Sequence, residues 1–480
     1  MRILLITIGL CMAASICLAQ TQVNISNAQP RLDDKGQIVD AHDGRIMRFG
    51  NKFYWYGTQY GNTNGFTTAN KYVCYSSDDM VAWHEEGSLL ADAPEGVYYR
   101  PHVIYNAKRK RYVLWFNWYP KLWNGQFGVA TSKTPQGPFK IVNPDVQMAN
   151  QSLGLGDFGL FIDDDQTAYI SYNTIQDHQV SIEKLNDAYT GSTLENGGVI
   201  SKHMEAGAMF KREGKYYLLT DYTCCFCNYG SGARVYISDN PIKGYQLRGN
   251  INRYAGKRSY ALVDGIKKGN HFETIAKVKE QWQGIELQYN QAQNITGLQV
   301  DLFTGNRPEN CGDVANPRVH PPFETPTFKM QAWVDYEWKE VAVNDTKAEM
   351  RALNQTLTLS IPSTETNRIR LVPTAFPFDK MHVAEVSAHT EGSKATALAY
   401  LIGPNMHQMP IIPAQQTFIM PLETAAGTEF IWMGDLWGSA SDNVKGHDYQ
   451  YWGAPLQFNA DGIIAPLEWV DEWSLELKDQ

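Results

Sequence analysis

Apolar and aromatic residues fall along the chain in short runs of about six, each opened by a glycine or charged turn and followed by a more polar stretch. Lys52-Phe53-Tyr54-Trp55-Tyr56, Arg111-Tyr112-Val113-Leu114-Trp115, Ala168-Tyr169-Ile170-Ser171-Tyr172, Lys215-Tyr216-Tyr217-Leu218-Leu219 and Glu429-Phe430-Ile431-Trp432-Met433 repeat this motif. Runs of that length, bounded by turn formers and rich in aromatic and β-branched side chains, predict strands. Segments such as Tyr75-Ser76-Ser77-Asp78-Asp79, Val129-Ala130-Thr131-Ser132 and Val235-Tyr236-Ile237-Ser238 follow most of them and suit outer strands of the same sheets.

Spacing turns these strands into an architecture. Phe53 to Tyr112 is 59 residues, Tyr112 to Ala168 is 56, and Ala168 to Tyr216 is 48. A unit of about 50 residues holding several strands is the period of a propeller blade. The next step, Tyr216 to Phe430, is 214 residues; beyond one blade this leaves roughly 160 residues, room for one domain. The expected fold is all-β: a five-bladed β-propeller with a β-sandwich inserted before its last blade. The expected divisions are a leader at 1–19, blades one to four at 25–255, the insertion at 256–398 and the last blade at 399–480. Inside the insertion the blade motif vanishes. Alternating segments such as Phe328-Lys329-Met330-Gln331-Ala332-Trp333 and Asn367-Arg368-Ile369-Arg370-Leu371 predict half-buried strands there. Their order resembles the discoidin (factor V/VIII C-type) jelly roll, a sandwich often used to bind glycans.

Composition adds compartment and partner class. Of 480 residues, 43% are hydrophobic and 19% charged, enough apolar surface for a sizeable core. The net charge of −9 and the lack of any Lys/Arg-rich run argue against nucleic acid as a partner. Thirteen Trp and 26 Tyr supply surfaces able to stack on sugar rings, pointing to a polysaccharide or oligosaccharide partner. Arg2, an apolar run from Ile3 to Cys17, and Leu18-Ala19 before Gln20 form a secretory leader, so a periplasmic or secreted protein is expected. No later run approaches the roughly 18 apolar residues of a membrane span. Cleavage would leave Cys74, Cys224, Cys225, Cys227 and Cys311, an odd number that excludes a fully paired framework. Cys224-Cys225-Phe226-Cys227 lacks the two Cys-x-x-Cys halves of a zinc site; it reads as small side chains in a packed turn with room for one disulfide, and no metal is assigned.

Candidate chemistry lies where carboxylates precede the repeated strands, because a propeller binds ligands at its axis. Asp43 in His42-Asp43-Gly44-Arg45-Ile46, Asp157 in Gly156-Asp157-Phe158-Gly159 and Glu205 in Met204-Glu205-Ala206-Gly207 hold equivalent offsets in blades one, three and four. Three converging carboxylates suit glycoside hydrolysis: one takes a proton from water, one protonates the leaving oxygen, and the third keeps that acid protonated by its negative charge. Asp43 before Gly44 also fits a plain turn. Asp163-Asp164-Asp165 reads as a solvated hairpin turn without chemistry. Asp157 and Glu205 sit among glycine and apolar residues, where an idle charge would be costly to bury.

Over about residues 38–250 and 410–475 these motifs resemble glycoside hydrolase family 43, five-bladed propellers with an Asp/Asp/Glu triad. Asp43-Gly44-Arg45-Ile46 is similar to the family's Asp-Pro-Ser-Ile base segment, with Gly44 in place of Pro. Asp157-Phe158-Gly159 resembles the segment of the pKa modulator, and Glu205-Ala206-Gly207 the Glu-Gly-Pro segment of the general acid. The resemblance implies an inverting mechanism with acid and base about 6.5–9.5 Å apart. It requires no cofactor, and implies a structural calcium ion only as a habit of many members; no ligand set in this sequence specifies one.

Two branches compete. Ala41-His42 and Met433-Gly434-Asp435-Leu436-Trp437 resemble the exo-β-1,3-galactanases, in which the first-blade Asp is typically lost and a Gln or Glu near the last blade takes the base's place; Gln415 matches that position. Here Asp43 is retained, and Tyr99-Arg100-Pro101 stands where galactanases have Glu-Arg-Pro. Tyr99 resembles the aromatic platform of the furanosidases. The expectation is therefore an exo-acting glycosidase of terminal furanosyl residues (α-L-arabinofuranosidase or β-D-galactofuranosidase type), with Asp43, Asp157 and Glu205 catalytic. Tyr99, Arg234 and Gln415 would contact substrate. The alternatives are an exo-β-1,3-galactanase and a non-catalytic carbohydrate-binding propeller.

Overall fold

The computed structural model describes residues 21–227, 232–254, 256–267, 271–303, 325–351, 354–392, 396–406 and 409–478. The leader and Cys311 lie outside the described residues. Among the described residues the chain is built of strands, and no helix is long and apolar enough to cross a membrane.

Five antiparallel sheets are the blades. Blade one runs His42–Phe49, Lys52–Gln59, Lys71–Ser77 and His84–Ser88; blade two Val97–Asn106, Arg111–Lys121, Asn124–Ser132 and Lys140–Asn143. Blade three runs Leu155–Ile162, Ala168–Thr174, Val180–Leu185 and Ser192–Asn196; blade four Met204–Arg212, Lys215–Tyr222, Arg234–Ser238 and Gln246–Asn250. Blade five has three strands, Gln415–Thr424, Gly427–Leu436 and Tyr449–Pro455. Beside it Thr21–Ser26 pairs with Glu472–Leu477, and the Asn27 amide exchanges hydrogen bonds with the Trp452 backbone, so the two ends of the described chain meet at the last blade. The aromatic motif is the second strand of each blade, and its rings pack blade on blade. Trp55 meets Trp83 and, across the one–five junction, Trp452 edge-on with centroids 5.2 and 5.1 Å apart. Phe210 and Phe430 join blades four and five at 4.3 Å. Burying each such ring stabilises the fold by about 1.5–3 kcal/mol.

Between blades four and five, strands from Gly256–Ser259 to Leu398–Ile402 form a separate β-sandwich. Two long strands, Gly284–Phe303 and Asn354–Ala375, pair with each other along most of their length and pass through both layers, changing layer at a register shift between Gln288 and Gln293. Their first pairing, Ile285 with Leu371, joins Thr327–Val334 and Leu398–Ile402 in one layer; the later pairing, Leu298 with Leu359, joins Lys380–Thr390 and Asp345–Arg351 in the other. Its core, including Ile285, Leu298, Val300, Leu357 and Ile369, is made only of residues from this region. The insertion therefore buries its own apolar face and interrupts the propeller without entering it.

Candidate active site

The innermost strand of every blade carries a bulge near its N-terminal end. Register shifts fall between His42 and Arg45, Tyr99 and His102, Leu155 and Phe158, Glu205 and Ala208, and Gln416 and Phe418. A bulge leaves residues unpaired and re-aims their side chains. In these bulges stand Asp43, Arg100 and Asp157, and at or next to their N-terminal edges Tyr99, Glu205 and Gln415; all of them line one pocket at the propeller axis. The blades that supply the acids need glycine beside them: an added Cβ at Gly44 would collide with the Trp55 indole, and one at Gly207 with the Leu219 carbonyl. Asp43 takes φ of +54° here, so the turn-forming and site readings of Asp43-Gly44 are the same geometry.

Asp43 is buried and receives the Tyr60 hydroxyl on Oδ2, while its backbone N–H donates to Asp435 Oδ2 at 2.7 Å. Burial raises its pKa; Arg100 pulls the other way, and the charges of Asp435 and Asp157 add to the rise. Asp435 is itself held by His42, whose Nδ1 lies 3.3 Å from Asp435 Oδ1 and whose Nε2 lies 3.7 Å from Asp40. Burial alone would pull this imidazole down, but Asp435 and Asp40 outweigh it and raise its pKa to about 9. A buried imidazolium between two carboxylates thus anchors the loop bearing Asp43.

Glu205 is also buried. Its pKa is raised well above the ordinary range by burial first and then by the negative charge of Asp157, against the opposing pull of Arg100. Asp157 is paired with Arg100, Nε to Oδ2 2.9 Å. Burial works against the Arg100 charge, and Asp157, Asp43 and Glu205 together outweigh that, keeping the guanidinium cationic among the three acids. Gln415 spans the remaining side: its Oε1 accepts from Trp437 Nε1 at 2.7 Å and its Nε2 donates to Glu205 Oε2 at 3.1 Å.

Tyr99 lines the pocket with its hydroxyl donated to the Gly65 carbonyl, 2.9 Å. Arg234 does not reach this pocket. It opens the third strand of blade four, packs near the Tyr222 and Tyr236 rings and donates to Met204 Sδ at 3.6 Å, because that strand lies two positions out from the axis. The pocket's arginine is Arg100, which sequence reasoning passed over although it follows Tyr99 at the bulge position equivalent to Asp43. Tyr60 and Trp437, which fix Asp43 and Gln415, carried no periodic signal. Cys224 and Cys227 form a disulfide, and the residues between them, Cys225 and Phe226, line the pocket; Cys74 and Cys225 are free thiols. Asp163 does sit in a hairpin turn, but it is buried against Lys211 and Tyr216 where a solvated residue was expected.

Among the described residues no cluster of three or more His, Cys, Asp or Glu is disposed to hold a metal. The carbonyl oxygens of Asp43, Pro101 and Phe158, from blades one, two and three, all accept hydrogen bonds from the buried guanidinium of Arg45. A cation is thus already built into the chain at the point where these blades converge.

The model of the glycosyl hydrolases family 43 matches residues 38–296, more than half of the chain. The chain belongs to glycosyl hydrolase family 43. No curated protein matches it significantly. Among solved structures it is similar to a GH43 β-1,3-galactosidase with galactodeoxynojirimycin, at 18% identity and a TM-score of 0.53, covering 94% of this chain and 99% of that one. It is also similar to an exo-β-1,3-galactanase from Clostridium thermocellum, at 18% identity and a TM-score of 0.52, covering 95% of this chain and 67% of that one. At such identities the likeness is one of fold, and it extends over nearly the whole of this family 43 chain. As a family 43 glycoside hydrolase the protein acts by inversion, a chemistry that needs two carboxyl groups, water and no cofactor.

Proposed function

We propose that this family 43 hydrolase is an exo-acting enzyme that removes terminal galactose from β-1,3-linked galactan. The observation that carries the reading is the convergence of Asp43, Asp157, Glu205 and Gln415 on one axial pocket, with Gln415 hydrogen-bonded to Glu205. Likeness of fold to β-1,3-galactosidases over nearly all of the chain supports the galactan reading above the furanosidase one.

Glu205 is the general acid. Burial and Asp157 hold it protonated, and Gln415 occupies one carboxyl oxygen as a donor, which leaves the proton on the other. Asp43 is the base, with one oxygen held by Tyr60. Water attacks the anomeric carbon as Asp43 takes its proton, and Glu205 gives its own proton to the departing glycosidic oxygen. Arg100 fixes Asp157 and limits how far the pocket's negative charge can raise its neighbours. The leader-like segment makes the periplasm or the exterior the proposed place of action.

The test is product analysis on β-1,3-galactan and on aryl arabinofuranosides and galactofuranosides. Galactose from galactan alone is expected; furanose release with no attack on galactan would restore the furanosidase reading. Galactan binding without turnover by the folded wild-type protein would favour the binding propeller.

A further inference from the structure

The pocket's rim carries aromatic surface that bond cleavage does not use. Asp43, Arg100 and Glu205 are each 5% exposed or less, which puts the charged groups at the floor. Trp123 and Phe66 line the same pocket but are 56% and 37% exposed, which puts them at the mouth. Trp123 stands at the tip of the blade-two hairpin, between Arg111–Lys121 and Asn124–Ser132, with φ of +68°. Its ring lies 5.7 Å from that of Phe66. Phe66 in turn meets Phe226 edge-on at 5.0 Å, and Phe226, in the disulfide-closed Cys224–Cys227 turn, meets Tyr60 edge-on at 5.4 Å. A continuous row of rings therefore leads from Tyr60, bonded to Asp43, out to solvent at Trp123.

A single exposed aromatic needs no explanation, but two in contact at the edge of a pocket whose floor holds buried acids are a surface waiting for a flat apolar partner. The C–H face of a sugar ring is such a partner. A cleaving site that holds one terminal ring against the floor must let the rest of the chain leave through the mouth, across these rings. We propose that Trp123 and Phe66 form the leaving-group subsite, stacking on the second sugar of a neutral oligosaccharide. The proposal rests on the hydrolase reading above and adds the residues that select the leaving group.

Calorimetry on the Glu205→Gln protein, with β-1,3-galactobiose and galactose as ligands, tests it. Trp123→Ala in that background is expected to weaken galactobiose about tenfold and leave galactose within about twofold of the parent, with Trp123→Tyr recovering most of the loss. Phe66→Ala should act in the same direction. Equal weakening of both ligands, or no change in either, overturns the subsite. Should the protein with Trp123 intact bind neither ligand, the galactan reading falls on its own. The same variants then go to α-1,5-arabinobiose against arabinose, where the same difference supports the subsite and its absence overturns it.

Discussion

Gln415 Nε2 donates to Glu205 Oε2 across 3.1 Å, while Gln415 Oε1 accepts from Trp437 at 2.7 Å. The amide is thereby oriented as a donor toward the acid. On the proposed reading its part is to hold Glu205, and Asp43 is the group that takes a proton from water. Asp43→Asn should lower kcat about 10²–10⁴-fold, while Gln415→Ala should lower it less and move the pH profile. A tolerated Asp43→Asn beside a dead Gln415→Ala would reverse the assignment.

With Glu205 as the proposed acid, the alkaline limb of that profile is expected to follow this group, whose pKa is raised by burial and by Asp157. Asp157→Asn removes one of the raising charges, so that burial is offset more fully by the lowering pull of Arg100. The limb should therefore move to lower pH. A limb that stays in place in the kcat/KM profile would show that Asp157 has another task.

His42 makes stability depend on pH. Its folded pKa, about 9, lies above its ordinary 6.5. Because the value is raised, the imidazolium's contribution is complete below pH 6.5 and is lost as pH rises through 9. Thermal unfolding should show Tm falling across that window. His42→Gln should flatten the fall and lower Tm at pH 6, since it leaves Asp40 and Asp435 buried without their cation.

Arg45 serves the axis as a fixed cation. Arg45→Met should cost about 3–5 kcal/mol in urea unfolding, because carbonyls from three blades lose their donor. A cost below about 1 kcal/mol would mean that water replaces the guanidinium freely.

Inversion predicts the first anomer released. Proton NMR of early galactan hydrolysis should show α-galactose ahead of its equilibrium mixture; β-galactose first would require a covalent intermediate.

Much of this was legible in the chain. Repetition at about 50 residues is a property of sequence, because each blade repeats one packing problem: an aromatic strand sealed against its neighbour. The gap before Phe430 likewise announced an inserted unit, and the Asp43, Asp157 and Glu205 offsets were readable because a carboxylate beside glycine ahead of an apolar strand is unusual. Arg234 was not readable: its side chain resembles a ligand in sequence, but the third strand of a blade stands away from the axis. Nor could the chain alone reveal Tyr60 holding Asp43, or Trp437 turning the Gln415 amide, since these contacts join residues 17 and 22 positions apart across loops of no fixed period. Which acids face one another, and which neighbour raises which pKa, depends on distances between blades. The sequence by itself determined the blades and the acids they carry, through local periodicity. Only ring closure brought five inner strands to one axis, and that convergence decided which side chains share a pocket.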